Sequence, residues 1–175
     1  MPTSSPVAPQ RCCQGSTTCF HAASEAAPAT TTAGSLLQNT ATAATVDTAG
    51  KTLRVTSVTV PSGKAGVTLG AASGDGTLAP ATAGGGLSLA NDGSAPLIVN
   101  AAIANNTSAS SLSKSGAGTV TLAAPNTFSG GTAISGGTLL LAHGVTLQNS
   151  TVTLGAVAPV FDSSVSGHAF TFGAL

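Results

Sequence analysis

Short runs in which an apolar residue alternates with Thr or Ser, punctuated by Gly, Asn, Asp or Pro, recur from Ser35 to the end of the chain. The pairs Val58 and Val60, Val67 and Leu69, Leu87 and Leu89, Leu97 and Val99, Val120 and Leu122, Leu139 and Leu141, Val145 and Leu147, and Val152 and Leu154 are each spaced by two. In an extended strand residues i and i+2 share a face, so each pair supplies one buried side while the residue between them meets water. Helical periodicity is absent almost everywhere. Strands this brief cannot stand alone, and must stack on neighbours for their single apolar face to be covered.

A sandwich, a barrel or a solenoid could provide that stacking. The first two normally want large aromatic and β-branched core residues and hairpin turns. Aromatic residues make up 3% of this chain, with no Trp or Tyr, and only Asn91-Asp92-Gly93 gives a good hairpin signal. A β-solenoid suits small side chains better: in-register stacking fills a narrow interior, Gly takes the tight corners, and outward Thr residues stack in ladders. Disorder is the competing reading, but it goes with low hydrophobicity and high net charge, whereas this chain is 42% hydrophobic with zero net charge. The expected class is therefore all-β.

Residues 1–33 mix Pro, Ser, Thr and Ala with all three cysteines and show no sustained period, which reads as a disordered leader. Residues 34–175 form the expected folded segment. No apolar run approaches the roughly 20 residues that span a bilayer as a helix, and the first residues lack the basic and apolar regions of a secretory signal. If the protein is exported, the signal is expected outside this chain, which points to a fragment or a misplaced start. Five basic residues balance five acidic ones, so there is no electrostatic footprint for nucleic acid or an anionic membrane.

The most informative stretch is 112–144, LSKSGAGTVTLAAPNTFSGGTAISGGTLLLAHG. Gly116 and Gly118 open a turn, Val120 and Leu122 bury a face, Pro125-Asn126 breaks the strand, and Gly130-Gly131 makes the next corner. Phe128 is the one large residue of the rung, expected to plug the core or stack on a neighbour. This stretch resembles the autotransporter-associated β-strand repeat, or passenger-associated transport repeat, of bacterial autotransporter passengers. The residues that carry the resemblance are Leu112, Lys114, Gly116, Gly118, the Thr119 to Leu122 strand, Asn126, Thr127, Phe128, Gly130, Gly131, Thr132, Gly137, Thr138 and Leu139. The resemblance implies a right-handed parallel β-helix exposed outside the cell or on the outer surface, with the repeat linked to passenger folding and transport. It also implies a β-barrel translocator, for which this chain has no long series of amphipathic strands. The ending from His168 to Gly173 alternates like a single strand and reads as one more rung.

Candidate chemistry is sparse. Cys12, Cys13 and Cys19 with His21 do not follow zinc-ligand spacing, and their odd number leaves no closed disulfide framework. Glu25, Asp47, Asp75, Asp92 and Asp162 are the only acidic residues, and Asp75 and Asp92 sit in turn-forming contexts. Ser111 and Lys114 match Ser-x-x-Lys, but in a strand and turn rather than a helix. His143 and His168 have no Asp or Cys nearby in sequence. Gly84-Gly85-Gly86 lacks the Lys or following helix of a phosphate loop. Asn-x-Ser/Thr triplets begin at Asn105, Asn106 and Asn149, and such matches are common in sequence rich in Asn and Thr.

No catalytic, cofactor-binding or metal site is expected, and the chain is not expected to be an enzyme. The leading expectation is a structural segment of a secreted passenger, serving as stalk, adhesive surface or folding aid. Its partners would be host or neighbouring-cell surface ligands. Two alternatives stay open: a fragment of a polysaccharide-degrading β-helix, which would need carboxylates converging in one groove, and a truncated reading frame with no independent function.

Overall fold

The computed structural model describes residues 25–26, 30–155, 160–161 and 172–174. Within them the chain is all-β and winds into a β-solenoid with three faces, visited in fixed order. Face one holds seven strands: Glu25–Ala26, Ala44–Asp47, Val67–Leu69, Leu97–Val99, Thr119–Leu122, Thr138–Leu141 and Val160–Phe161. Face two holds four: Thr30–Thr32, Thr52–Val55, Thr77–Pro80 and Ala102–Ile103. Face three again holds seven: Ser35–Leu37, Ser57–Val60, Gly86–Asn91, Ser111–Ser115, Thr132–Ile134, Leu147–Leu154 and Phe172–Ala174. Every strand pairs in parallel with the strand of the same face in the next turn.

The parallel register is what converts the i, i+2 spacing into a core. On face one Ala44, Val67, Leu97, Val120 and Leu139 form one inward column, and Val46, Leu69, Val99, Leu122 and Leu141 the next. Leu53, Leu78 and Ile103 line face two. All these side chains are buried, and complete burial of a Val, Leu or Ile contributes about 1.5–3 kcal/mol. The residues between them point outward, so the column Ser35, Ser57, Ser88, Ser113, Ala133 and Thr153 runs along the outside of face three.

Four local expectations change. Strand pairing begins ahead of residue 34: Thr30–Thr32 pairs with Thr52–Val55, and Glu25–Ala26 with Val46 and Asp47. The Asn91-Asp92-Gly93 segment makes no hairpin but a corner between parallel strands, because the chain must cross to another face to stay in the stack. Val145 is half-buried in a turn instead of pairing inward with Leu147. Leu154 is 42% exposed. It has Ile134 on one side, but the last pairing on its other side is Thr151 with Ala174, after a break in register. The three cysteines, His21, Asp162 and His168 lie outside the described residues.

Candidate functional site: the corner residues of the 112–141 repeat

Lys114 stands in the inward column of face three, between Leu89 in the preceding turn and Ile134 in the following one. It is completely buried. An ammonium has three donors and no acceptor, and here each donor has a carbonyl: Ser115 O at 2.8 Å, Gly116 O at 2.8 Å and Gly136 O at 2.9 Å. Two of these carbonyls belong to the corner that Lys114 itself enters, and the third to the same corner one turn later. Burial pushes the ammonium's pKa below its ordinary 10.5, and the Asp92 carboxylate opposes that shift.

Two other turns carry a comparable device at this corner with amides. Gln38 Nε2 donates to Thr42 O at 2.9 Å and to Gly66 O at 3.1 Å. Asn91 Nδ2 donates to Ala95 O at 2.9 Å and to Thr119 O at 2.7 Å. Both side chains are buried. In each case one side chain fastens its own corner to the next turn by bonding a carbonyl of each.

The second feature is the end of face two. After Leu122 inward positions continue to alternate through Ala124, Asn126 and Phe128, all buried, although no strand forms there. Asn126 replaces the missing ladder with its side chain: Oδ1 accepts the Ile103 N–H at 2.7 Å, and Nδ2 donates to Thr146 O at 3.0 Å. The backbone N–H groups of Thr127 and Phe128 both donate to Ile103 O. The last strand of face two thus has its edge closed by Asn126-Thr127-Phe128, which addresses the hazard that an open strand edge poses.

Backbone crowding accounts for the glycines. A Cβ on Gly116, whose φ is 80°, would lie 2.3 Å from Asn91 O. One on Gly137, with φ 61°, would lie 2.4 Å from Gly116 O and Gly118 O. Gly118 and Gly130 are similarly tight against neighbouring backbone, while Gly131 has ordinary clearance. Leu112, Val120, Leu122 and Leu139 are core residues. Thr138 pairs with Thr119. Thr132 is buried, and its hydroxyl lies 2.7 Å from that of Ser150, whose Oγ donates to Gly130 O at 2.7 Å. Ser150→Ala is expected to lower stability by about 1 kcal/mol, the size of one net buried hydrogen bond, read as a drop in urea midpoint with unchanged slope.

The other singled-out residues are placed as follows. Ser111 is exposed and Lys114 buried, so strand alternation holds them on opposite sides of face three. Asp75 Oδ2 accepts the Ala71 N–H at 2.8 Å, and Asp47 Oδ1 the Ala49 N–H at 2.9 Å. His143 Nδ1 accepts the Val145 N–H at 3.3 Å. Gly84 and Gly85 turn a corner, donating to Asn106 O and Thr82 O. Among the described residues no group of three or more His, Cys, Asp or Glu side chains is placed to hold a metal ion, and no helix is long and apolar enough to cross a membrane.

The burial of Lys114 and the bridging by Asn126 and Gln38 were not anticipated from sequence. Lys114 sits two residues after Leu112, at the spacing that elsewhere in the chain marks an inward pair, and that was the available signal. Residues 112–141 match the model of the passenger-associated transport repeat family. No curated protein and no solved structure matches the chain.

Proposed function

We propose that the chain is a non-enzymatic structural segment of an autotransporter-type passenger, displayed outside the cell or on its outer surface, where it acts as a stalk or adhesive surface. The observation that supports this most is that the matched repeat is no appendage. Its strands continue the ladders of faces one and three without a break in register, from Leu97–Val99 into Thr119–Leu122 and from Gly86–Asn91 into Ser111–Ser115. A passenger repeat that closes one face and carries the other two onward makes the whole described stack read as one shaft. In a shaft of this kind the recognition surfaces are the corners and outward columns, because the interior is filled. The partners would be ligands on host or neighbouring cells, together with the β-barrel translocator of the full-length protein. The carboxylates of Asp47 and Asp75, each accepting a backbone N–H of its own turn, have structural work to do.

Cells carrying the intact gene, treated with a protease that cannot enter them and probed with antibody against 34–175, test the reading. Surface labelling that protease removes is the expected result. Antigen that stays protected until the cells are lysed would overturn it.

A further inference from the structure

We infer that Asn149 is a glycosylation site, accepting a sugar on its side-chain amide nitrogen. Three Asn-x-Ser/Thr triplets occur in the described region, and the structure treats them differently. At Asn105 the amide is engaged at both ends: Nδ2 donates to Ser129 Oγ at 2.9 Å, and Oδ1 accepts the N–H groups of Ser110 at 2.9 Å and Ser129 at 3.0 Å. Asn106 is buried, and its Nδ2 donates to Pro80 O at 3.0 Å. Neither amide can reach a transferase without losing bonds that hold the corner 105–110 to adjacent turns.

Asn149 is in the opposite situation. It lies in the strand Leu147–Leu154, exposed, with Thr151 exposed two residues on and Ser150 buried between them. Strand alternation therefore puts the acceptor amide and the hydroxyl of the triplet on the same outward side. The central residue is anchored: Ser150 Oγ donates to Gly130 O and lies 2.7 Å from Thr132 Oγ1. The neighbouring strands do not pair with Asn149, although Gly173 packs against the Asn149–Ser150 backbone. The preceding strand pairs with Val152, Thr153 and Leu154 only, and the following one meets Leu147 and Thr151 with a register break between them, so Asn149 has no paired strand residue on either side.

The donor would be an activated sugar joined through its anomeric carbon to a phosphate leaving group. Asn149 Nδ2 forms a bond to that carbon, the carbon–oxygen bond to phosphate breaks, the phosphate departs with the electron pair, and a base of the transferase takes the amide proton. Nothing is oxidised or reduced. The inference rests on the exported reading above, since such triplets are acceptors in secreted chains. A transferase acting before export would modify Asn149 as well, so the two readings are measured separately.

The test is mass spectrometry of the full chain purified from the cells that naturally make it, with peptide mapping. The expected result is a sugar-sized mass increment on the peptide containing Asn149, lost in Asn149→Gln and Thr151→Val, kept in Thr151→Ser, and absent from Asn105 and Asn106. An unmodified Asn149 peptide would overturn the inference, as would an increment that survives Asn149→Gln or that maps to Asn105 or Asn106. Circular dichroism of Asn149→Gln, expected to match the parent, separates loss of the acceptor from loss of the fold. Surface exposure in the protease experiment with an unmodified Asn149 would sink this inference and leave the passenger reading standing.

Discussion

Phe128→Ala is expected to destabilise the protein by about 3–5 kcal/mol, the range for truncating a buried aromatic ring. Phe128 is 2% exposed and belongs to the hydrophobic core. It sits where face two stops, so its ring and the Asn126 side chain occupy the interior that a strand would otherwise line. The cavity left by truncation has little means of collapse, because parallel strands hold adjacent turns at roughly 4.7–4.9 Å and the same turns are tied by the bonds of Thr127, Phe128 and Asn126 to Ile103. For a chain of this size such a loss lowers the melting temperature by roughly 6–20 °C. Stacked repeats interact chiefly with their neighbours, so hydrogen exchange should quicken in the turns containing Ile103, Leu122 and Leu141 and change least at Val46. A variant melting within about 2 °C of the parent would show that Phe128 is not the plug of this turn.

The second large effect is expected from Lys114→Met. Methionine approximates the length and volume of the lysine stem but donates nothing, so the Ser115, Gly116 and Gly136 carbonyls lose their common donor. Charge-assisted hydrogen bonds contribute about 1.5–3 kcal/mol each, while replacing a buried charge by an apolar group recovers part of its desolvation cost. Some of the freed carbonyls can also take water at the corner. The expected net loss is about 2–4 kcal/mol, read from urea unfolding. If the variant proves as stable as the parent, the three carbonyls do not depend on the ammonium.

The same residue predicts a pH dependence. The folded pKa lies below the unfolded 10.5, so between those two values the unfolded chain holds a proton that the folded chain has released. Stability contributed by this group therefore rises with pH across that window, reaches its full increment above 10.5, and is absent below the lowered folded value. Methionine does not titrate, so the margin by which the parent exceeds Lys114→Met should widen as pH climbs toward 10.5, once the other titrating groups common to both cancel. A gap that narrows over that interval would mean that the folded environment favours the charged form.

Much of this architecture was legible because parallel stacking and strand alternation use the same two-residue spacing. Val58, Val60, Leu97, Val99, Val120 and Leu122 all landed in the core, and the stretch beginning at Leu112 carried enough spaced Gly, Asn and Thr to suggest its family. Less legible were features decided by what lies one turn away. Leu154 has the spacing of an inward residue, yet its exposure depends on where the next strand's register breaks. Val145 and Leu147 have the spacing of an inward pair, though the chain is still turning at Val145. Asn91 reads locally as a hairpin former, whereas its amide is committed to Thr119, far along the chain. Thr30 begins a strand with no apolar pair of its own to announce it. The burial of Lys114 runs against the composition rule that lysine is almost never fully buried unless paired, and its partners are backbone oxygens, which sequence does not display.

The register between turns is held on the inward columns, while the connections between strands differ widely in length: a short bend joins Val55 to Ser57, and longer loops cross 71–76 and 81–85. Heredity can exploit that division. Residues gained or lost at a loop tip that makes no bond to the next turn would alter what the outside world meets and leave the rungs in place, so lineages can rewrite the shaft's surface text while copying its spine unchanged.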